Sequence, residues 1–256
     1  MSLNLAPLSD EKPLIDPLQY LPCSTISHHE KGKAIYREGQ PSNSIYLVIE
    51  GNVKVSRVAD NGRDVVLDIY QADEFFGESA FVGLTRVSER AVAIEATKLM
   101  TWTTEQIEEI STRNPKLMVA ILQLVIHRSM EFASRIESFS VDHIGNRLVH
   151  ALIRFSKRLG QEAEDGSVRM IAFTHELLSQ YVGTSREVVT QYMNQFRRLG
   201  LLRYSRQGIF LNCAAMKRWL ESPNQLKSMS KPMQSVQQVN DRRTVLAPEV
   251  SHRLSA

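Results

Sequence analysis

Between Ser27 and Thr103 short apolar segments alternate with turn residues, and glycines fall at positions 32, 39, 51, 62 and 77. Backbone punctuated this often cannot run as long helices. It packs instead as the short antiparallel strands of a β-roll or jelly roll. Ser44–Glu50 predicts a buried strand, Glu50-Gly51-Asn52 a turn, and Val53-Lys54-Val55 the start of an alternating strand. Asp60-Asn61-Gly62-Arg63 predicts a tight two-residue hairpin turn, because Asn-Gly supplies the positive φ angles such a turn needs. Val65–Tyr70 is the returning strand.

The rhythm then changes from two to about 3.6. Pro115 suits a first helical turn, and from there to about Phe139 one long helix is predicted. Met118, Leu122, Val125, Ser129, Phe132, Ile136 and Phe139 recur at alternating steps of four and three, the spacing of a coiled-coil seam between two copies of the chain. Leu117, Ile121, Leu124 and Met130 are expected to face the roll. Ser129 is the one polar residue in the seam, and it reads either as a register-setting notch or as a ligand contact. Asp142 is placed as the N-cap of the following helix and Gly160 as its end. Residues 138–142 thus make a hinge, and Gln161–Gly166 an acidic loop.

Two further helices are predicted around Val182-Gly183-Thr184, the first capped by Thr174 and the second running from Ser185 or Arg186 to about Arg198. A glycine in a three- to four-residue turn between helices is the mark of a helix-turn-helix. Leu177, Leu178, Val182, Val188, Val189 and Met193 would form its core. Arg186, Glu187, Thr190 and Gln191 then project from the first turns of the second helix, which enter the major groove in this motif. Arg186 is suited to guanine, Glu187 to cytosine N4 and Gln191 to adenine, while Ser185 and Thr174 offer phosphate contacts. Gly200–Leu211 reads as a two-stranded wing turning at Gln207-Gly208, with Arg203 and Arg206 for phosphates. Charge agrees with this placement. Residues 1–140 carry 14 Lys and Arg against 19 Asp and Glu, whereas residues 141–256 carry 17 against 9. A basic half gains affinity for DNA through counterion release.

The glycine-spaced roll with Phe76-Gly77-Glu78, the long helix after Asn114-Pro115 and the segment Val182-Gly183-Thr184-Ser185-Arg186-Glu187-Val188-Val189 together resemble the Crp/Fnr superfamily of bacterial transcription regulators, over roughly residues 15–220. The resemblance implies an α+β chain: an N-terminal double-stranded β-roll like a cyclic-nucleotide-binding jelly roll, a long central dimerisation helix and a C-terminal winged helix-turn-helix. It places the roll at 15–113, the helix at 114–140 and the DNA-binding domain at 141–220; after Leu220 the Ser, Gln, Met and Pro content predicts a disordered tail at 221–256. It also implies a homodimer on an inverted-repeat promoter site, RNA polymerase as a partner, and an effector pocket formed by Gly77, Glu78, Ser79, Arg90 and Ala91 with Ser129 and Phe132 of the helix. The position of Gln191 is commonly arginine in the family, so the half-site is expected to differ at the base read there.

In cyclic-nucleotide-binding relatives the matching glutamate holds the ribose and the arginine the phosphate. Here Ala91 stands where a hydroxyl residue is usual, the loop from Glu78 to Arg90 is about two residues longer, and Glu131, Phe132 and Ala133 replace the hydroxyls that read adenine. Cyclic nucleotide is therefore only weakly supported, the effector stays unnamed, and Glu78 with Arg90 equally suits an internal ion pair. Cys23 and Cys213 cannot supply an iron–sulfur cluster. The pair His28-His29 suits haem or a solvated turn. No catalytic role is expected, since no metal-binding histidine set accompanies the carboxylates Asp73, Glu74 and Glu78. The apolar run from Leu117 to Ile126 falls short of a membrane span, and a cytoplasmic regulator is expected. Two alternatives are an effector-independent DNA binder and a ligand-binding module without DNA binding.

Overall fold

The structure, a computed structural model, describes residues 14–83, 88–205 and 208–221. It divides into a unit Met1–Met216, which carries the elements discussed here, and a unit Lys217–Ala256, of which only the helical residues 217–221 are described.

Eight strands come first: β1 (Thr25–His29), β2 (Ala34–Tyr36), β3 (Ser44–Glu50), β4 (Val53–Val58), β5 (Asp64–Tyr70), β6 (Phe75–Phe76), β7 (Arg90–Ala93) and β8 (Thr97–Thr103). They form two four-stranded antiparallel sheets, ordered β1-β8-β3-β6 and β2-β7-β4-β5. Strand β3 explains why its sequence is almost continuously apolar. Its side chains alternate in direction, and both faces are covered. Val48 packs inward with Val53, Val55, Phe76, Ala91 and Leu99 of the two sheets. Ile45 and Leu47 face outward onto Phe75, Trp102 and the helices α1 (Thr104–Arg113) and α2 (Lys116–Val141). Helix α1 starts on a capping box, with the Thr103 hydroxyl and the Gln106 side chain satisfying each other's backbone amides.

The chain continues through α3 (Ile144–Leu159), β9 (Gln161–Glu162), β10 (Val168–Met170), α4 (His175–Val182), α5 (Arg186–Arg198), β11 (Leu202–Ser205), β12 (Gly208–Leu211) and α6 (Cys213–Glu221). The last four strands make a third antiparallel sheet, ordered β11-β12-β10-β9.

Several expectations need correction. The β4–β5 turn is not the two-residue Asn-Gly type. Ala59 N–H donates to Arg63 O and Gly62 N–H to Ala59 O, each at 2.8 Å. Gly62 alone is left-handed (φ 76°), and the only non-glycine residue with positive φ among the described residues is Asp73. The loop is therefore three residues long, a type I turn closed by a left-handed glycine. Asp142 is the C-cap of α2 and not an N-cap. Its carboxylate accepts from Ser138 Oγ at 2.6 Å, one turn back, and α3 starts after His143 without a side-chain cap. Met130 is 58% exposed and does not face the roll. His28 and His29 lie on strand β1 rather than in a turn. The tail after Glu221 lies outside the described residues.

Leu117 and Ile121 are buried against the roll and Leu124 packs beside them, as their spacing predicts. Of the seam residues, Met118, Leu122, Val125, Ser129, Ile136 and Phe139 are exposed, joined by Val119, Ile126 and Met130, while Phe132 is half-buried. Phe139 has turned toward the DNA-binding half, where the guanidiniums of Arg135 and Arg147 sit over its ring at 5.4 and 5.3 Å. By length and composition α2 is apolar enough to cross a bilayer. Its arginines instead bind it to the roll. Arg128 donates to Phe75 O at 2.7 Å, and Arg135 to Val66 O and Leu67 O, both at 2.7 Å.

A buried carboxylate joins α3 to the roll. Asp68 of β5 is 1% exposed and takes both Oδ atoms to Arg158, at 2.8 and 3.0 Å, with Arg154 at 3.7 Å. Arg158 also binds Glu74 at 2.8 and 3.0 Å and Ile69 O at 2.9 Å. Removing one member of such a set strands buried charge, at a cost of about 3–5 kcal/mol. Asp68→Asn is therefore expected to lower the free energy of urea unfolding by about that amount. A loss indistinguishable from that of a surface substitution would mean that Asp68 is not the neutralising group.

Candidate nucleic-acid interface

Helix α4 begins where Thr174 Oγ1 accepts from Leu177 N–H at 3.1 Å, and α5 where Ser185 Oγ accepts from Val188 N–H at 3.4 Å. Between them Gly183 is left-handed at φ 70°, and its N–H closes α4 on Ser179 O at 3.0 Å. A Cβ at this glycine would also come within 3.3 Å of the Phe139 ring. The turn angle between the two helices thus depends on a residue that has no side chain.

The shared core contains Leu178, Val182, Val189 and Met193, with Leu177 and Val188 half-buried. Phe196 is fully buried as well, and Phe155 of α3 fills the space beside Phe173 and Tyr181. These four aromatics were not picked out by spacing, because they come from separate elements.

Packing that core leaves Arg186, Glu187 and Gln191 exposed on the first two turns of α5, next to exposed Ser185 and Thr174. Glu187 is held below the usual carboxylate range by its own backbone N–H first and then by Ser185. It stays an acceptor, as a contact to cytosine N4 requires. Thr190 is placed differently from its neighbours. Its hydroxyl donates to Arg186 O at 2.8 Å and lies 2.8 Å from His175 Nδ1, so it is already engaged within the protein. His175 Nε2 in turn lies 3.2 Å from Tyr204 OH on β11. Sequence spacing alone does not single out His175 or Tyr204. The signal for His175 was its place directly after the cap Thr174, where a side chain can reach across to the neighbouring helix.

On the wing, Ser205 pairs with Gly208 across β11 and β12. Arg203 lies over the Phe210 ring at 3.8 Å and binds Asp165 at 2.7 Å. The Asp165 carboxyl is pulled down to about 2, chiefly by Ser167 and then by Arg203. The acidic loop thus supplies a counterion to a wing arginine. Arg206 lies outside the described residues.

The roll's effector cassette is closed on the protein's own groups. Gly77 is left-handed at φ 90°, and a Cβ there would strike Ser44 O and the Tyr46 ring, both at 2.9 Å. Glu78 opens a short 3₁₀ turn, Glu78–Val82, and pairs with Arg128, not with Arg90. Arg90 pairs with Asp64 at 2.9 Å, and Asp64 also holds Lys54 at 2.9 Å. Burial raises the Asp64 carboxyl, but Lys54 and Arg90 outweigh it and hold the group below its ordinary range. Ser79 and Tyr36 both donate to Glu89, at 3.0 and 3.1 Å. Ala91 is fully buried in the roll core. The expected ion pair between Glu78 and Arg90 is not formed: each residue pairs with a different partner. Inside the roll Tyr36, Tyr46, Phe76 and Tyr70 form a column of stacked rings 5.0 to 5.8 Å apart. Ser129 and Phe132 bond to none of the cassette residues in the described structure.

An eight-stranded roll, a long helix and a winged helix-turn-helix define the architecture of a DNA-binding regulator. Residues 26–114 match the cyclic nucleotide-binding domain family and residues 146–219 the Crp-like helix-turn-helix domain family. The chain is 26% identical over 187 residues to the global nitrogen regulator of Synechocystis, covering 72% of this chain and 83% of that protein. It is 25% identical over 191 residues to the CRP-like cAMP-activated global transcriptional regulator of Mycobacterium tuberculosis, covering 71% and 81%. Among solved structures it is similar to a CRP/FNR-family transcriptional regulator from Thermus thermophilus, with a TM-score of 0.63, 28% identity and coverage of 77% and 99%. The chain belongs to the Crp/Fnr family of transcription regulators and is a DNA-binding regulator of that type.

Gly183 gives this interface a direct test. Gly183→Ala forces a left-handed alanine, which costs about 1–2 kcal/mol. The thermal midpoint should fall accordingly, and an unchanged midpoint would contradict the left-handed turn.

Proposed function

We propose that the chain binds an inverted-repeat promoter site as a homodimer, with Arg186, Glu187 and Gln191 of each copy reading one half-site and RNA polymerase as its partner in the cytoplasm. The observation that carries this reading is the exposure of those three side chains on the capped first turns of α5, in the basic half of the chain. Thr174, Ser185 and Arg203, with Arg206, serve the phosphate backbone. The exposed apolar stripe of α2, from Met118 to Ile136, supports the dimer: Ile136 is 65% exposed in a single copy and gains by burial against a second. A two-fold dimer places two recognition helices on two symmetric half-sites. The role is regulatory binding, with no catalysis assigned.

The same reading takes cyclic nucleotide out of the cassette. Arg90 is neutralised by Asp64, Glu78 by Arg128, and Ala91 offers no hydroxyl to a phosphate. A small effector of different chemistry, if it binds in the roll, acts on α3 through Asp68 and Glu74. Selection of duplexes from a random library separates the two regulatory forms. Equal enrichment of an inverted repeat with and without cyclic AMP, cyclic GMP or a metabolite pool identifies an effector-independent binder, and enrichment with one addition alone identifies the effector.

Arg186→Ala should weaken binding to the selected site by about 1–3 kcal/mol and leave binding to scrambled DNA almost unchanged. Full discrimination in that variant would remove α5 as the reading helix. Leu122→Glu places a charge in the apolar stripe and should shift the protein toward monomer in sedimentation velocity. A dimer of wild-type strength would place the interface elsewhere.

A further inference from the structure

We propose that His175 and Tyr204 form a proton-coupled contact to the DNA backbone beside the recognition helix, in which the imidazole gains a proton from solvent as a phosphodiester is bound. The proposal rests on the reading of α5 as the recognition helix. It follows from a count of protons along one hydrogen-bonded chain.

Thr190 has a single hydroxyl proton and donates it to Arg186 O at 2.8 Å. Toward His175 Nδ1, at 2.8 Å, it can therefore only accept, and Nδ1 carries the hydrogen. In the neutral ring Nε2 is then an acceptor, and the Tyr204 hydroxyl 3.2 Å away is its donor. The chain runs from Tyr204 through His175 and Thr190 to the first turn of α5, with every proton assigned. In this state Tyr204 has spent its proton inside the protein. Its hydroxyl turns only lone pairs outward, and a phosphate oxygen, itself an acceptor, cannot use them.

Protonation at Nε2 reverses one link. The ring becomes the donor and Tyr204 OH the acceptor, so the tyrosine's own proton is released to point outward. Tyr204 is 40% exposed, which leaves room for a ligand oxygen. The step therefore creates a hydroxyl donor and a positive charge together, both suited to a phosphodiester.

The surrounding charges set when this happens. Burial first, then Arg186 on α5, keep His175 below its ordinary value in the free protein. Burial raises Tyr204, while Arg197 of α5 acts in the opposite sense. On α4 itself the Glu176 carboxylate accepts from Gln180 at 3.1 Å. Glu187 on α5 is engaged by its own backbone N–H and by the Ser185 side chain. Burial and Arg186 thus oppose protonation of His175 in the free protein, and DNA relieves the second of these, since its phosphates offset Arg186 and supply the missing acceptor. The folded pKa of His175 rises on binding, so affinity grows as pH falls through the bound-state value and levels off below the free-state value.

The test is calorimetric titration of the full chain with its selected inverted-repeat duplex, between about pH 6 and pH 8, in buffers of different ionisation heat. Wild type should take up as much as one proton per chain and gain up to about tenfold in affinity per pH unit within the window. His175→Gln should abolish the uptake and flatten the pH profile. Tyr204→Phe, which removes one oxygen and spares the fold, should match wild type near pH 8 and fall below it near pH 6. Undiminished uptake in His175→Gln, or full affinity of Tyr204→Phe at the lower pH, overturns the proposal. Arg186→Ala separates the two levels. If it loses discrimination while His175→Gln behaves as wild type, only the phosphate contact falls. If it keeps discrimination, the recognition-helix reading falls too.

Discussion

The arrangement turns on one buried negative charge. Asp68 sits inside the roll's edge at 1% exposure, and although Ile69 N–H donates to it at 2.8 Å, its charged partners belong to α3, outside the roll. A carboxylate removed from water is tolerable only when it is neutralised and hydrogen-bonded, and the ion pairs that neutralise it here come from the arginines of α3. The roll therefore cannot shed the DNA-binding half without exposing or stranding charge. Glu74 adds a second carboxylate on Arg158, and Arg154 is shared with Glu131 of α2 at 2.6 Å. Roll, central helix and α3 are connected through a single ionic network.

That network could not be read from spacing. Strand β5 reads as an ordinary returning strand, and Asp68 in it looks like the polar member of an alternation. Only pairing places it opposite Val55, beside a bulge at Leu67 of its own strand β5, with its carboxylate turned into the interface. One clue was present. Arg128 and Arg135 fall on the same helical stripe as Leu117, Ile121 and Leu124, the stripe predicted to face the roll. A charged residue on a buried stripe implies a buried partner, and Glu78 and the β5 carbonyls are those partners.

Local rules served well where the chain's own neighbours decide the outcome. The caps Thr174 and Ser185, the left-handed Gly183 and both strands flanking Gly51 follow from adjacent residues and appear as expected. They failed where a side chain had a second offer. Asp142 was free to cap α3 but bonds Ser138, and Thr190 was free to face DNA but bonds His175. In the β4–β5 turn, strand pairing decided the loop length against the preference of the Asn-Gly pair. The cassette is the same case on a larger scale: the residue types of an anion site are present, and neighbouring residues satisfy them.

Arg135 carries one more implication. Its guanidinium donates to Val66 O and Leu67 O of the roll and to Tyr181 O of α4, and it lies 3.9 Å over the Tyr181 ring. The position of the helix-turn-helix is thereby indexed to a point on α2, about two turns after Arg128. In the proposed dimer the distance between the two recognition helices then depends on how the paired α2 helices cross at that level. Residues of the apolar seam, which never approach a base, would act as the ruler that sets which half-site spacing the operator must have.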